Sequence, residues 1–234
     1  MPITADLHTH TTYSHGKGSP EDNVIAALNL GLREIAISEH ASANLFYGLR
    51  GEKTLELRRE INRLNSVYGS RIRVLMGLEC NLTGFGESDA PADDSMLDVV
   101  LLGYHRGVLP ASKFALAALK EAFFGGGDPV RNARALLAAA EKKRVHILSH
   151  PGEYIRIDID TLARGAAKLD LLLEINARHQ TLDTNMLRRA ADAGAKFIIN
   201  SDAHSPDRVG VVGAAEKAAM KAGITGLVVN WRPD

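Results

Sequence analysis

Histidine or carboxylate residues stand at the ends of six predicted β-strands spread over the whole chain. Each of them follows a run of aliphatic or β-branched residues. The six segments are Asp6-Leu7-His8-Thr9-His10, Ser38-Glu39-His40, Gly77-Leu78-Glu79, Gly103-Tyr104-His105, Ser149-His150-Pro151 and Ser201-Asp202-Ala203-His204. In a barrel of alternating strands and helices, the carboxyl ends of the strands face one cavity, so these side chains are expected to meet there. Imidazole together with carboxylate is a metal-binding combination.

Strand-like and helix-like segments alternate almost throughout the chain. Several of the strand-like runs are continuously apolar, which is typical of parallel strands covered on both faces. The predicted strands lie near 3–9, 34–39, 72–79, 97–104, 145–149, 170–176 and 196–201, with an eighth candidate at 226–230. Repeated strand–helix units without a linker favour an α/β, TIM-like barrel, with residues 1–234 as a single domain, over an open sheet.

Proline after a capping residue predicts three helix starts. These are Ser19-Pro20, with Gly31 as the stop, Asp128-Pro129, and Ser205-Pro206 for the last helix. Apolar residues at mostly helical spacing predict a further helix over 53–68. The longer connections follow strands that end in candidate ligands and are therefore expected on the cavity side. They cover 41–52, 80–96 and 105–112.

The bulk composition argues against several classes of protein. Lys+Arg and Asp+Glu are both 28 in 234 residues, so the chain lacks the basic excess of a protein that binds nucleic acid through phosphate contacts. The single cysteine, Cys80, rules out an intramolecular disulfide and fits a reducing compartment. No apolar run approaches the roughly 18 residues of a membrane span. The sequence shows no basic segment followed by an apolar one before the first predicted strand, so we expect no signal peptide. We therefore expect a cytoplasmic protein.

The first predicted strand carries three polar residues at a spacing of two. Residues two apart on a strand share a face, so Asp6, His8 and His10 are expected to point into one cavity. The two histidines can bind one metal ion from a rigid element. Asp6, one step deeper, is placed to accept a hydrogen bond from a ligand imidazole. An isolated His-x-His would be a surface accident, but this one begins a series.

Seven of the nine histidines and two carboxylates form the candidate ligand set. Glu79 at the inner end of a strand is costly unless it pairs with a cation or metal. Taken singly, His15 would be a solvated loop histidine, His40 a satisfied polar residue and Asp202 a turn residue. The series favours the metal-binding interpretation. The candidates are His8, His10, His15, His40, Glu79, His105, His150, Asp202 and His204.

The size of this set predicts several metal ions, and their charge predicts the substrate. A zinc site takes about four donors and a catalytic one leaves a position open, so nine candidates suggest two or three ions. Three dications against two carboxylates leave roughly +4, which favours a strongly anionic ligand such as phosphate. A metal-activated hydroxide can attack phosphorus while neighbouring ions stabilise the developing charge. No serine or cysteine nucleophile is needed.

The motifs, in this order, resemble the PHP (polymerase and histidinol phosphatase) family over nearly the whole chain. The matching segments are Asp6-Leu7-His8-Thr9-His10-Thr11, Ser14-His15-Gly16, Glu39-His40, Gly77-Leu78-Glu79-Cys80-Asn81, His105, Ser149-His150-Pro151 and Asn200-Ser201-Asp202-Ala203-His204. The resemblance implies a distorted seven-stranded (β/α) barrel with a trinuclear site. Three divalent transition-metal ions are then expected, of zinc, manganese or iron. Histidine at position 15, where many members carry aspartate, is similar to the stand-alone phosphatases.

The resemblance also implies how the ligands divide among the three ions. His8, His10, Glu79 and Asp202 would hold one ion. Glu79 would bridge to a second, held also by His105 and His150, and the third would be held by His15, His40 and His204. We expect Glu79, Asp202 and His204 to act in catalysis.

Four residues near the ligands are candidates for substrate binding. Arg178 follows the sixth strand and is the first choice, because arginine binds phosphate bidentately. Arg106 and Arg208 stand beside ligands, and His179 lies in a loop that faces the cavity. For each arginine, a solvated surface charge is the alternative interpretation.

Together these features predict a metal-dependent phosphatase of small phosphomonoesters. The main alternative is a phosphodiesterase or exonuclease with the same metals, which would need a wide groove. An amidohydrolase-type hydrolase would add a bridging lysine, and no lysine ends a predicted strand. A non-enzymatic metal scaffold would show gaps in the ligand set. The expected partner is a small phosphorylated molecule rather than nucleic acid or a membrane, and the oligomeric state stays open.

Overall fold

Seven parallel strands form a nearly closed barrel. The computed structural model of the protein describes residues 3–110 and 112–232. The strands are β1 (Ala5–Thr9), β2 (Glu34–His40), β3 (Arg73–Gly84), β4 (Glu87–Ser88), β5 (Val99–Gly103), β6 (Ile147–Leu148), β7 (Leu172–Asn176) and β8 (Lys196–Asn200). Their order in the sheet is β1-β2-β3-β5-β6-β7-β8, and β4 pairs with the far end of β3 as an antiparallel hairpin. The prediction of a distorted, TIM-like (β/α)7 barrel is confirmed.

Seven α-helices cover the described barrel. They are α1 (Pro20–Asn29), α2 (Glu52–Tyr68), α3 (Lys113–Phe124), α4 (Pro129–Lys142), α5 (Ile159–Lys168), α6 (Thr184–Asp192) and α7 (Gly213–Ala222). Ser19 caps α1 in a reciprocal arrangement with Asp22, and the Asp128 side chain accepts from two backbone amides at the start of α4. Both predicted helix starts are therefore confirmed. Within the described ranges, no helix is both long and apolar enough to span a bilayer.

The barrel interior changes from apolar to polar along the strands. At the amino-terminal side, Leu75 and Ile198 belong to a small inner apolar cluster, and the partly buried Leu172 packs against it. Alternate residues of a strand face the same way, so the positions two and four further on also face inward. Glu79 lies four residues beyond Leu75, and Glu174 lies two beyond Leu172. The polar end of the barrel therefore coincides with the carboxyl ends of the strands.

The seam between β1 and β8 is closed by side chains as well as by backbone. Near the cavity, the His10 amide donates to the Ala203 carbonyl at 2.7 Å. Further down, the buried Asn230 side chain donates to the carbonyls of Ala5 at 2.8 Å and Ile199 at 2.7 Å. It also accepts from the Ile199 amide at 3.1 Å. Asn230 thus replaces the missing strand-to-strand hydrogen bonds at the base of the seam.

Three local predictions were wrong. The segment 226–230 is not an eighth strand, because its chain turns through a 3-10 helix (Thr225–Leu227) that delivers Asn230 to the seam. Ser205-Pro206 opens only the 3-10 helix Pro206–Arg208, and the last α-helix begins later, at Gly213. The segment 80–96 is not entirely a loop, since β3 continues to Gly84 and pairs with β4.

Replacing Asn230 with alanine should lower the free energy of unfolding by about 3 kcal/mol, because two buried carbonyls and one amide lose their partners. Asn29→Ala, at the exposed end of α1, is the matched control and should change it by less than about 0.5 kcal/mol. Urea unfolding followed by circular dichroism measures both values. Equal stability of the two variants would contradict this role of Asn230.

Candidate metal centre

The carboxyl ends of the strands open into a cavity of about 440 Å³. Its wall includes most of the predicted site residues, while His8 and His10 lie fully buried beneath it. The predicted residues on the wall are His15, His40, Glu79, His105, Arg106, His150, Arg178, His179, Asp202 and His204. The sequence patterns at the strand ends therefore identify one continuous site.

Glu79 stands at the centre of the cluster, with imidazole nitrogens around both carboxylate oxygens. Its Oε1 lies 2.8 Å from His150 Nε2, 3.1 Å from His105 Nε2 and 3.2 Å from His8 Nε2. Its Oε2 lies 3.1 Å from His40 Nδ1. Two donors held at about 2.1 Å by one tetrahedral ion lie about 3.4 Å apart, so donors at these separations can share cations.

Asp202 follows β8 and approaches the two histidines of the first strand from across the β1–β8 seam. Its Oδ1 lies 3.5 Å from His10 Nε2 and 3.7 Å from His8 Nε2. The backbone of Asp202 has φ +53° and that of His150 has φ +29°, a region that residues other than glycine rarely adopt. Both side chains are thus held at the site in backbone conformations that carry strain.

Asp6 does not hydrogen-bond an imidazole, which contradicts the prediction made for it. Its carboxylate accepts from the amide and hydroxyl of Ser201, at 3.1 and 2.5 Å, and from the Gly210 amide at 2.9 Å. The register of β1 against β2 shifts between Asp6 and Thr9. This irregularity breaks the alternation of two on which the prediction depended.

Glu174 takes the role that was expected of Asp6. Its Oε1 lies 2.8 Å from His8 Nδ1, so the Nδ1 proton is held there and Nε2 is left facing Glu79. Its Oε2 accepts from the His150 backbone amide at 2.7 Å. Sequence analysis missed Glu174, although a charged residue two positions beyond the inward-facing Leu172 was the available signal.

Glu39 supports the other histidine of the first strand. This fully buried carboxylate accepts from the Thr11 amide at 2.9 Å and from the hydroxyls of Thr11 and Ser14. Its Oε2 lies 3.9 Å from His10 Nδ1. Glu39 therefore fixes the turn after β1 and adds negative charge behind His10.

Three further histidines form the outer part of the cluster. The ring centroids of His15 and His40 are 4.9 Å apart and those of His15 and His204 are 4.3 Å apart. One nitrogen each of His10, His40 and His204 lie within 4.8 Å of one another. Tyr47, which sequence analysis missed, stacks on His15 at 4.4 Å and closes this side of the cavity.

Electrostatics divide the cluster into an inner and an outer part. Burial lowers the pKa of His10, but Asp202, Glu39 and Glu79 outweigh burial and raise that pKa to about 9. The pKa of Glu79 itself stays well below its usual value, because neighbouring imidazoles overcome the effect of burial. The inner end thus attracts positive charge.

The outer imidazoles have the opposite tendency. Burial is the main cause that lowers the pKa of His15 to about 4, that of His40 to about 3 and that of His204 to about 2. Near neutral pH these rings are therefore uncharged and keep a lone pair for binding a cation.

The buried nitrogens fit a set of cations. In the described part of the chain, several buried imidazole nitrogens make no hydrogen bond, although each such loss costs about 1–3 kcal/mol. These atoms are His8 Nε2, His10 Nδ1 and Nε2, His15 Nδ1, His40 Nδ1 and His150 Nδ1. Three of them, His8 Nε2, His10 Nε2 and His40 Nδ1, lie between 3.1 and 3.7 Å from oxygens of Glu79 or Asp202. Such imidazole nitrogens beside carboxylates are the donors expected of a transition-metal site.

The residues proposed for substrate binding occupy different environments. Arg178 Nη1 lies 3.0 Å from His204 Nε2 and 3.8 Å from Asp202 Oδ1, on the cavity wall. The guanidinium of Arg106 lies over the Tyr154 ring at 4.6 Å. Arg208 lies apart from the main cavity, in a second cavity of about 290 Å³ that also includes Arg178.

His179 is held between two carboxylates at the edge of the cavity. Its Nε2 lies 3.5 Å from Asp202 Oδ2, and its Nδ1 lies 3.4 Å from Glu153 Oε1. Burial is the main cause that lowers its pKa. His179 therefore contacts a candidate ligand and the open cavity at once.

Sequence reasoning also missed several uncharged residues of the cavity wall, which are Asn44, Phe46, Phe123 and Tyr154.

Comparison with known proteins shows matches over most of the chain. The family model described as PHP domain matches residues 6–199. The chain is 29% identical over 220 residues to a "Probable phosphatase" of Shewanella sp. (strain MR-4), covering 87% of this chain and 77% of that protein. It is 28% identical over 242 residues to the DNA polymerase/3'-5' exonuclease PolX of Bacillus subtilis (strain 168). That alignment covers 98% of this chain but only 38% of the polymerase.

The fold is also similar to that of a solved structure. The histidinol phosphate phosphatase of Lactococcus lactis, solved in complex with zinc, L-histidinol and phosphate, superposes with a TM-score of 0.66. The match covers 98% of this chain and 97% of that one, at 18% sequence identity. At this identity the likeness shows the barrel fold.

Replacing Glu174 with glutamine should weaken metal binding by roughly 10–100-fold, because one carboxylate oxygen that accepts from His8 or His150 becomes an NH₂ group. Titration of metal-free protein with zinc, followed by calorimetry, measures the change. Glu56→Gln, on the exposed side of α2, is the control and should bind as the unmodified protein does. Equal affinity of both variants would show that Glu174 does not orient a ligand.

Proposed function

The chain belongs to the PHP domain family of metal-dependent phosphoesterases, and on that premise we propose that it hydrolyses small phosphomonoesters at a cluster of three divalent metal ions. The observation that carries the proposal is the ring of buried imidazoles around Glu79, open on one side to a cavity of about 440 Å³. Zinc, manganese and iron all suit this donor set.

We assign the donors to three ions. His8, His10, Glu79 and Asp202 would hold the first, and Glu79 would bridge to the second, held also by His105 and His150. The third would be held by His15, His40 and His204. The short separations between Glu79 and four histidines, which are His8, His10, His105 and His150, support the first two groups. The adjacent rings of His15, His40 and His204 support the third.

Charge supports a phosphorylated substrate. Four buried carboxylates face or back the site, namely Glu39, Glu79, Glu174 and Asp202. Three dications against these four carboxylates leave a net charge of about +2. This is smaller than the net charge that remains when only the two ligand carboxylates are counted, but it still favours a doubly charged phosphomonoester. Bound divalent ions supply Lewis acidity and lower the pKa of water.

The protein's own residues orient the substrate in this proposal. Glu79, Asp202 and His204 act in catalysis, with the two carboxylates fixing the cations and His204 facing the cavity beside Arg178. Arg178 is the cavity-wall cation suited to two phosphate oxygens. Arg106 stacks on Tyr154 and donates to the Ala122 carbonyl, so it is fixed at the rim for contact with the rest of the substrate. His179 borders the same space.

One observation favours the alternative of a phosphodiesterase or exonuclease. The second cavity, of about 290 Å³, adjoins the metal centre through Arg178, Asp202 and His204 and brings in Lys17 and Arg208. A diester extends past both sides of the cations, and these two basic residues suit the phosphate or other group on the far side.

The cytoplasmic location and the single domain over 1–234 remain predictions.

A panel of phosphomonoesters and phosphodiesters, tested with zinc-, manganese- and iron-loaded protein, should show faster hydrolysis of the monoesters. Glu79→Gln should abolish turnover and lower the metal content, because the bridge between two ions loses its charge. Glu56→Gln serves as the control for loading and assay. Full activity of Glu79→Gln, or hydrolysis of diesters alone, would contradict the proposed reaction.

Arg178→Ala should raise KM for a monoester by roughly tenfold or more, since a charge-assisted contact with phosphate is lost, while the metal content stays the same. Arg208→Ala is the matched variant, because it removes the same charge from the neighbouring cavity. It should leave monoester kinetics unchanged. Steady-state kinetics of both variants decide the point. Unchanged KM in Arg178→Ala would leave Arg178 as a surface charge.

A further inference from the structure

Two side chains connect the ligand His105 to a carboxylate in the β3–β4 hairpin. His105 Nδ1 lies 2.7 Å from Asn81 Oδ1, while its Nε2 lies 3.1 Å from Glu79 Oε1. The Asn81 Nδ2 group donates in turn to Asp89 Oδ2 at 2.7 Å. We propose that Asp89 is a positioning residue, which fixes the Asn81 amide and thereby holds His105 with Nδ1 protonated and Nε2 directed at the metal centre.

Asp89 leaves the Asn81 side chain only one orientation. The Asp89 carboxylate accepts three N–H groups. The backbone amide of Asn81 donates to Oδ1 at 2.6 Å, while the backbone amide of Ala43 and the side-chain Nδ2 of Asn81 donate to Oδ2, the former at 2.8 Å. If the side-chain carboxamide of Asn81 were rotated by 180°, its oxygen would face Asp89 Oδ2 with no proton between the two oxygens. The amide nitrogen therefore faces Asp89, and Asn81 Oδ1 faces His105.

The orientation of Asn81 decides the protonation of His105. An amide oxygen only accepts hydrogen bonds, so His105 Nδ1 must be the donor. In the neutral ring the lone pair then lies on Nε2, beside Glu79. This is the tautomer that binds a cation through Nε2, and Asp89 selects it through its hydrogen bond with the Asn81 side chain.

The hairpin that carries Asp89 is built around the same pair. Asn81 lies in β3, Asp89 directly follows β4, and the Asp89 amide donates to the Asn81 carbonyl at 3.3 Å. Asp89 also accepts a hydrogen bond from the Ala43 amide and thereby fixes the connection after β2. Asn44, which follows Ala43 in this connection, lines the cavity. The continuation of β3 beyond the cavity therefore places Asp89 where it can orient Asn81. The advantage for metal binding rests on the proposed function, but the protonation of His105 does not.

The test observes the hydrogen-bonded Nδ1 proton of His105 by long-range ¹H–¹⁵N spectroscopy of the whole chain without metal. The signal is assigned by its loss in the His105→Gln variant. In the unmodified protein and in Asp93→Asn, a control in the following exposed segment, this proton should be present and protected from exchange. In Asp89→Asn one Asp89 oxygen becomes a donor, so the Asn81 amide loses its fixed orientation. The proton should then exchange with water.

A second readout is the affinity for zinc alone, which should fall roughly 10–100-fold in Asp89→Asn and stay unchanged in Asp93→Asn. Retention of the protected proton and of the affinity in Asp89→Asn would overturn the proposal. An unprotonated His105 Nδ1 in the unmodified protein would also overturn it, even if Asp89→Asn does not fold. Because the proton is observed without metal or substrate, a protein that proves inactive towards phosphate esters leaves this test intact.

Discussion

The structure depends on one buried carboxylate, that of Glu79, surrounded by imidazoles at the bottom of a cavity. With a relative exposure of 1%, Glu79 has lost its hydration, a penalty of several kcal/mol unless cations or donors replace the water. No single strand can supply enough donors. The barrel does, because His8, His40, His105 and His150 come from four different strand ends that meet at one point. The proposed function depends on this convergence.

A layer of acids and amides behind the imidazoles decides which nitrogen faces inward. Glu174 holds the Nδ1 side of His8, and Asn81 together with Asp89 holds that of His105. These groups also change the charge of the site, since Glu174 and Glu39 add two buried negative charges to those of the ligands. The candidate centre therefore carries more negative charge than its proposed ligands alone, which would limit repulsion between any cations bound there.

Sequence patterns predicted the barrel, which is confirmed, and a set of candidate ligands that the fold brings to one cavity, because both rest on local signals repeated along the chain. A polar residue after an apolar run, such as Glu79 or His150, marks the end of a strand wherever it occurs. Asp6 was assigned wrongly, because an irregularity of register in β1 leaves no trace in the spacing of the residues. Glu174 was overlooked since it interrupts an apolar strand without a neighbouring histidine. Asn230 was read as part of a strand, although its role depends on a seam that exists only in the folded barrel.

The most direct test of the central claim is the number and position of bound metal ions, from elemental analysis and anomalous diffraction of crystals grown with zinc, manganese or iron. We predict three ions per chain, two of them sharing Glu79 and the third between His15, His40 and His204. Crystals that show these side chains without any ion among them, after exposure to all three metals, would contradict the claim.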